Sequence, residues 1–475
     1  MKGEVRKPLI RNSNPHQHHH HHQEEENGVQ RENKESLWMV YLSTFVAVWG
    51  SFEFGTCIGY SSPTQAAITE ELNLSLAEYS VFGSILTIGA MVGAVTSGLI
   101  ADFIGRKGAL RTSAAFCVAG WLSIYFAKGA LALDFGRLAT GYGMGVFSYV
   151  VPVFIAEISP KNLRGALTAL NQVMIASGVF ASYLMGTILT WRILAIFSLL
   201  PCAIMLIGLF LIPESPRWLA KIGKQKEFQV ALRKLRGKEA DISGEADEIQ
   251  DYLETLQKLP QAKMLDLFQK RYLRSVTIGV GLMVCQKFGG LPGILFYQSQ
   301  IFVSVGFPPD IGTNAGAALQ IVLTALSAVL IDRAGRRILL LVSTAGLVLG
   351  CILCAAAFFL KEHELLLDAV PAFILTGILV YIGFFSIGLG AIPWVVMSEI
   401  FPLNIKGSAG SLAIWMNWFG SWVTSYTFNY LMTWSSYGTF IMYAVINGLA
   451  IVFIAILVPE TKGRTLEEIQ AAINK

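Results

Sequence analysis

Long apolar runs separated by short polar segments dominate the chain. A hydropathy window of about 19 residues picks out such runs from residue 38 onward. There are twelve, near 38–61, 79–101, 110–127, 131–156, 166–189, 193–212, 274–302, 313–331, 338–359, 371–397, 408–431 and 440–458. Each is close to the length that a helix needs to cross a hydrocarbon core of about 30 Å. The pattern predicts an all-α integral membrane protein with twelve transmembrane helices.

The seventh run, 274–302, is not uniformly apolar. Residues 285–298 of this run include Gln286, Lys287, Pro292 and three glycines. Proline and glycine favour departure from helical geometry, and irregular backbone at membrane depth is tolerated only inside protein or beside a water-filled cavity. Interrupted spans are typical of transporter binding sites. The alternative is a simple proline kink with a lysine that reaches the membrane interface.

Composition and charge agree with a membrane protein. Apolar residues make up 54% of the chain and charged residues 14%, and the net charge is +4. Arginine and lysine concentrate in alternate loops, which by the positive-inside rule places both termini in the cytoplasm. They flank apolar spans instead of forming one soluble face, so no nucleic-acid partner is expected. No address signal indicates which membrane holds the protein; the plasma and vacuolar membranes are both candidates.

The segments outside the spans carry less information. Residues 1–37 are polar and rich in histidine, and they are predicted to be a disordered cytoplasmic tail and not a cleaved signal.

All six cysteines lie in predicted spans, so neither a disulfide framework nor a metal site is expected, and no cofactor is predicted. Asn73 begins an N-glycosylation sequon on the predicted outer side.

Three pairs of motifs recur at offsets of about 230 to 246 residues. The turn at 102–107 returns at 332–337, the segment 157–165 at 399–407, and the segment 213–217 loosely at 459–463. Repetition in the same order predicts two homologous six-helix halves. We place the halves at 38–212 and 274–458, a cytoplasmic helical linker at 213–273, and a cytoplasmic tail at 459–475.

These repeated motifs resemble the sugar porter branch of the major facilitator superfamily over residues 38–470. In finer detail, residues 54–65 and 398–402 are similar to the plant early-responsive-to-dehydration monosaccharide transporters. The resemblance implies a sugar site between the halves, where amides bond hydroxyls and aromatic rings cover the apolar sugar face. The candidate binding residues are Gln172, Gln286, Lys287, Phe296, Tyr297, Gln320, Trp394, Asn417 and Trp418.

Lys287 and Pro292 replace a glutamine and an asparagine that hexose porters carry in the seventh span. A buried lysine could bind an acidic sugar or another carboxylate. It could also pair with a carboxylate of the protein, such as Glu53, and act as a gate. Both interpretations are open from the sequence.

Coupling to protons is a second open point. Proton-driven relatives carry an aspartate in the first span where this chain has Cys57, although the accompanying arginine is present as Arg137. Facilitated diffusion is the simpler interpretation. Glu53, one helical turn before Cys57, is the acid that could carry a proton instead, or it could be a structural carboxyl that is neutral or paired with an arginine such as Arg137.

The resemblance also implies a gate made of charges at the cytoplasmic ends of the two halves. Such charges would pair across the halves and favour the outward-facing state. The candidates are Asp102, Arg106, Glu157, Arg164, Arg217, Asp332, Arg333, Arg336, Glu399 and Lys406.

The sequence therefore predicts a monomeric alternating-access transporter of monosaccharides such as glucose or fructose, whose partners are the sugar and the lipid bilayer. Proton symport or export through Glu53, which would make the proton a partner, is one alternative. A transport-inactive sugar receptor or scaffold is the other. An enzyme is not expected, since no set of nucleophile, base and orienting group stands out.

Overall fold

The computed structural model describes residues 37–260, 262–402, 404–464 and 466–474. Within these ranges the regular structure is helical, and no strand occurs. The histidine-rich part of the predicted tail, residues 1–36, lies outside the described residues.

The first six predicted spans correspond to a series of helices that follow one another with short connections. They are α1 (Trp38–Gly59), α2 (Ser61–Leu72), α3 (Leu76–Tyr125), α4 (Ala130–Ile158), α5 (Arg164–Gly186), α6 (Trp191–Phe197) and α7 (Leu199–Gly208). The long helix α3 contains two predicted spans, because Gly105 adopts a positive φ of 85° and breaks the helix in the middle. α6 and α7 together form the sixth span.

The second set of six spans repeats this arrangement. Its helices are α11 (Lys270–Phe288), α12 (Leu291–Ser304), α13 (Pro309–Ala334), α14 (Arg336–Glu362), α15 (Val370–Ile387), α16 (Ile392–Ile400), α17 (Lys406–Trp434) and α18 (Ser436–Leu457). α11 with α12 forms the seventh span, and α15 with α16 the tenth. A short helix α19 (Leu466–Asn474) follows.

Nine helical segments of the described chain are long and apolar enough to cross a membrane. One of them is α3, which Gly105 divides into two spans. The two remaining spans are α1 and α17, which are of sufficient length but are less apolar. Together these make the twelve predicted spans. The lower apolarity of α1 and α17 fits helices that bury polar side chains inside protein.

The segment between the two sets forms the small helices α8 (Pro216–Lys221), α9 (Gln225–Arg236) and α10 (Ser243–Lys258), followed by a 3₁₀ turn at Met264–Phe268. These helices have a core of their own that includes Leu219, Phe228, Leu232 and Ile249. In α10, Ile249 and Leu253 pack into this core, whereas Tyr252 is exposed.

Helix pairs at which the two sets of spans meet are α1 with α12, α2 with α12, α3 with α17, and α5 with α13. Following the predicted orientation, we call the end of the bundle that carries α2 the outer end, and the opposite end the inner end.

Candidate functional site

The seventh span is interrupted where its composition predicts. α11 ends at Phe288 and α12 begins at Leu291, and Gly290 between them has a φ of 108° that an L side chain rarely adopts. Pro292 lies in the first turn of α12, where a backbone N–H has no helical partner and its loss costs little. The proline therefore starts a helix, and the glycines make the break.

Gln286 holds three elements together just before this break. Its Nε2 donates to the carbonyl oxygens of Leu389 and Gly390 at 2.8 and 2.9 Å, and its Oε1 accepts from Asn417 Nδ2 at 2.6 Å. Leu389 and Gly390 lie in the irregular link between α15 and α16, whose carbonyls lack helical partners. Both N–H groups of the Gln286 amide are thus used within the protein.

Lys287 and Trp418 lie beside this network. The Lys287 Nζ lies 5.9 Å from the centre of the Trp418 ring. The Trp418 ring is itself 5.9 Å from the ring of Phe54 in α1, so the two sets of spans meet here through aromatic side chains. Gln286, Lys287, Asn417 and Trp418 form one group, which we call the central cluster.

Two predicted binding residues lie elsewhere. Tyr297 is fully buried, stacks on Phe428 at 5.7 Å and lies edge-on to Tyr79. The carbonyl of Phe296 accepts from Ser61 at 3.3 Å. Both residues belong to the closure between α2, α3 and α12 at the outer end and not to the central cluster. In this conformation Phe296 and Tyr297 are therefore separate from the central cluster, and their role in sugar binding stays a prediction.

Three further candidates are partly accessible residues of different helices. They are Gln172 in α5, Gln320 in α13 and Trp394 in α16. The Gln320 Oε1 is buried without a hydrogen-bond partner in the described part of the chain. Because α5 and α13 pack against each other, Gln172 and Gln320 are on helices that meet between the halves.

Glu53 faces the interior of the first half. It accepts from Trp121 Nε1 at 2.5 Å and from Thr56 Oγ1 at 3.2 Å. Arg137 donates instead to the carbonyl oxygens of Cys57 and Phe82 at 2.8 and 3.4 Å. Of the residues that the structure describes, none forms an ion pair with either group, so the suggested pairings of Glu53 with Arg137 and with Lys287 are absent.

Sequence reasoning missed one cluster around Glu53. The ligand atoms of Glu53, Cys57 and Cys117 lie within 4.8 Å of one another, and all three residues are buried. Thiolate and carboxylate are ligands that zinc accepts. Cys57 lies one helical turn from Glu53, but Cys117 comes from the second half of α3, so only the fold brings the three together.

The predicted gating charges pair within each half. Arg106 makes two bonds to Glu157 at 2.9 and 2.8 Å and one to Asp102 at 3.0 Å. Arg336 repeats this arrangement with Glu399 at 3.0 Å and with Asp332 at 3.7 Å. The expected pairing across the halves does not occur among the described inner-end residues, because each carboxylate is engaged by its own half.

The remaining gating candidates contact backbone or aromatic groups. Arg164 donates to the Ala156 carbonyl at 3.0 Å and Lys406 to the Ser398 carbonyl at 3.4 Å. The guanidinium of Arg217 lies 5.7 Å from the centre of the Tyr252 ring. Arg333 is exposed.

Two carboxylates that the sequence analysis did not single out complete the repeated inner turns. Glu214 accepts from the backbone N–H groups of Ser215 and Lys107, and Glu460 from those of Lys462, Arg336 and Arg337. Burial raises the pKa of Glu214 above its ordinary value despite these bonds. At Glu460 burial also acts to raise the pKa, but the N–H groups outweigh it and lower the pKa.

All hydrogen bonds found between the two halves in the described residues lie toward the outer end. Tyr183 donates to the Leu295 carbonyl at 2.7 Å, Ser62 Oγ lies 3.0 Å from Ser299 Oγ, and Asn429 donates to Ser80 at 3.4 Å. The Ser61 bond described above is of the same kind. This conformation is therefore closed at the outer end. Asn73, the sequon residue, is exposed at the end of α2.

Comparison with known sequences decides the family. The model of the family described as "Sugar (and other) transporter" matches residues 12–473. The chain belongs to this sugar transporter family. It is 66% identical over 437 residues to sugar transporter ERD6-like 7 of Arabidopsis thaliana, covering 92% of the chain and 94% of that relative. It is 60% identical over 447 residues to ERD6-like 16 of the same plant, covering 94% and 93%.

Solved structures of the same superfamily have the same fold. The proton:xylose symporter XylE bound to 6-bromo-6-deoxy-D-glucose matches with a TM-score of 0.77 at 25% identity, covering 93% of this transporter and 99% of XylE. The inward open conformation of XylE from E. coli also gives a TM-score of 0.77 at 25% identity, covering 91% and 99%. The resemblance to plant sugar porters of the major facilitator superfamily is confirmed, as is the prediction of a multi-pass membrane transporter instead of an enzyme.

Proposed function

We propose that the protein moves monosaccharides across a membrane by alternating access, and that it does so by facilitated diffusion. Closure at the outer end, with no hydrogen bond between the halves among the described inner-end side chains, is the geometry of a transporter in an inward-facing state. The site lies between the halves around Lys287 and Trp418. Gln172, Gln320 and Trp394 add side chains from three further helices, and the Gln286–Asn417 pair fixes the backbone beside them.

The observation that supports facilitated diffusion is the environment of Arg137. It is a buried cation with no carboxylate partner in the described chain, and backbone carbonyls of Cys57 and Phe82 take its hydrogen bonds. Glu53, the nearest candidate for a proton carrier in α1, is bonded to Trp121 and Thr56 and forms no ion pair with Arg137 in the described chain. A proton on Glu53 therefore has no direct electrostatic contact with Arg137.

Proton symport is the second candidate function, since the structural neighbour XylE is described as a proton:xylose symporter. Counterflow into proteoliposomes separates the two. Labelled glucose, fructose and xylose are tested with and without a pH gradient, on the wild type and on Glu53→Gln. Facilitated diffusion predicts saturable counterflow and no accumulation driven by the gradient. Gradient-driven accumulation that Glu53→Gln abolishes would establish symport instead.

A transport-inactive sugar receptor predicts stabilisation of the protein by sugar without flux.

We propose both termini on the cytoplasmic side of the plasma or vacuolar membrane, as the loop charges indicate. Protease protection in sealed vesicles tests the orientation.

A further inference from the structure

Lys287 is a positively charged side chain in the middle of the transporter without a counter-charge. No ion pair or side-chain hydrogen bond involves its Nζ among the residues that the structure describes, and no charged group lies close enough to interact with it. An unpaired charge at this depth is costly, and such residues usually serve the transported substrate.

The lysine is also open to a ligand. Lys287 is partly accessible although it lies in the seventh span, directly before the break between α11 and α12. Its ammonium group lies over the ring of Trp418, which meets Phe54 of the other half. A flat apolar surface beside a single cation therefore lies at the meeting point of the two halves.

The carboxylates that could neutralise Lys287 from within the protein are directed elsewhere. Glu53 is fully buried and bonded to Trp121 and Thr56. The second buried cation of the region, Arg137, keeps one nitrogen, Nη2, without a partner in the described chain. Neither Lys287, between the halves, nor Arg137, inside the first half, therefore has a carboxylate partner in the described chain.

We propose that the site accepts a monosaccharide that bears a carboxylate, such as a hexuronate, with the carboxylate on Lys287 and the sugar face on Trp418. This assignment of substrate class rests on the proposed transport function. A neutral sugar would leave the ammonium group uncompensated, whereas one carboxylate matches one lysine. The ammonium group donates up to three hydrogen bonds, so it can contact both carboxylate oxygens.

The test compares two ligands of nearly the same shape, D-glucuronate and its neutral amide D-glucuronamide. The full-length protein is reconstituted in chloride-free buffer, and the membrane potential is held at zero with potassium and valinomycin. Each ligand competes against counterflow of labelled glucose. We expect glucuronate to inhibit with at least about tenfold higher apparent affinity than glucuronamide, as a charge-assisted hydrogen bond provides. Equal inhibition by the two ligands would overturn the inference.

Substitutions test whether Lys287 causes the preference for glucuronate over glucuronamide. Lys287→Gln should lose the preference for glucuronate over glucuronamide, read as the ratio of the two apparent affinities in the same variant, and Lys287→Arg should keep it. Lys128→Gln, an exposed lysine of an outer loop, is the matched control and should behave as the wild type. A preference that survives in Lys287→Gln would show that another group recognises the carboxylate.

Different results would contradict the carboxylate site and the proposed transport function. Glucose counterflow that glucuronate does not inhibit contradicts the inference alone. If no solute is transported, the proposed function is wrong, and thermal stabilisation of the detergent-purified protein then decides the inference. Stabilisation by glucuronate over glucuronamide that is lost in Lys287→Gln supports a carboxylate site, and its absence from the wild type excludes one.

Discussion

Tyr297 of α12 lies directly against Gly83 of α3, and its hydroxyl oxygen is too close to leave room for a Cβ atom at residue 83. The two residues belong to different halves, so the missing side chain at Gly83 lets the halves close at the outer end. The ring of Tyr297 stacks on the ring of Phe428, a residue of its own half, with 5.7 Å between the ring centres.

Gly83→Ala should therefore disfavour the outer-closed state. Spin labels at Glu70→Cys in α2 and Val303→Cys in α12 report the separation of the outer ends, and the six native cysteines are buried and protected from labelling. We expect the variant to populate longer distances than the parent. Gly448→Ala is the control, because no atom lies near a Cβ at that position. An unchanged distance distribution would show that the contact does not determine closure.

Arg106→Ala should destabilise the protein by about 3 kcal/mol, because it leaves Glu157 without its two short bonds in a largely buried site. Arg336→Ala should cost less, since Arg336 makes one short bond to Glu399. Thermal unfolding in detergent measures both. Lys161→Ala, which breaks an exposed pair with Glu248, should be indistinguishable from the wild type. Equal losses in all three variants would contradict this ranking.

The sequence was sufficient for the helical spans, their duplication and the break in the seventh span. These features depend on local composition: apolar length predicts a span, and the glycines with Pro292 predict an interruption in the seventh span. The repeated turns could be predicted for the same reason, because each is a short sequence motif. In the structure, Arg106 and Arg336 bond carboxylates at matching positions of the two halves.

The partners of the polar residues could not be predicted. Trp121 bonds Glu53 from 68 residues away, and Gln286 bonds carbonyls 103 and 104 residues away. Such contacts depend on how each helix is rotated about its axis and on how closely the halves approach. Tyr297 illustrates the second factor, since its place in the outer closure depends on a glycine of the other half.

Trp121→Phe should destabilise the protein by about 1–3 kcal/mol, because it removes the indole donor from the fully buried carboxyl of Glu53. Combined with Glu53→Gln, the loss should be smaller than the sum of the single losses, as for any directly bonded pair. Thermal unfolding of the four proteins gives the coupling. Trp434→Phe, at an exposed tryptophan, serves as the control. Additive losses would mean that the bond contributes nothing to stability.

Gln286→Leu should lower the maximal rate of transport more than it changes the apparent affinity for sugar. Both amide N–H groups of Gln286 bond the Leu389 and Gly390 carbonyls, so the substitution releases the link between α15 and α16. The concentration dependence of counterflow separates the two parameters. Gln229→Leu in the linker is the control for loss of an exposed amide. A large rise in KM at an unchanged rate would assign Gln286 to direct sugar binding instead.

Glu460→Gln and Glu214→Gln should respond to pH in opposite directions. The pKa of Glu460 is lowered in the folded protein, so its charge contributes stability that is present above the ordinary glutamate pKa of 4.5 and lost as the pH falls. The penalty of Glu460→Gln should therefore grow as the pH rises. The pKa of Glu214 is raised by burial, so the folded state favours its protonated form, and the penalty of Glu214→Gln should shrink over the same rise. Thermal unfolding of the variants and the wild type between about pH 3 and pH 7 measures both slopes, that of Glu460 below the ordinary pKa of 4.5 and that of Glu214 above it. Two slopes of the same sign would show that burial does not distinguish these two equivalent carboxylates.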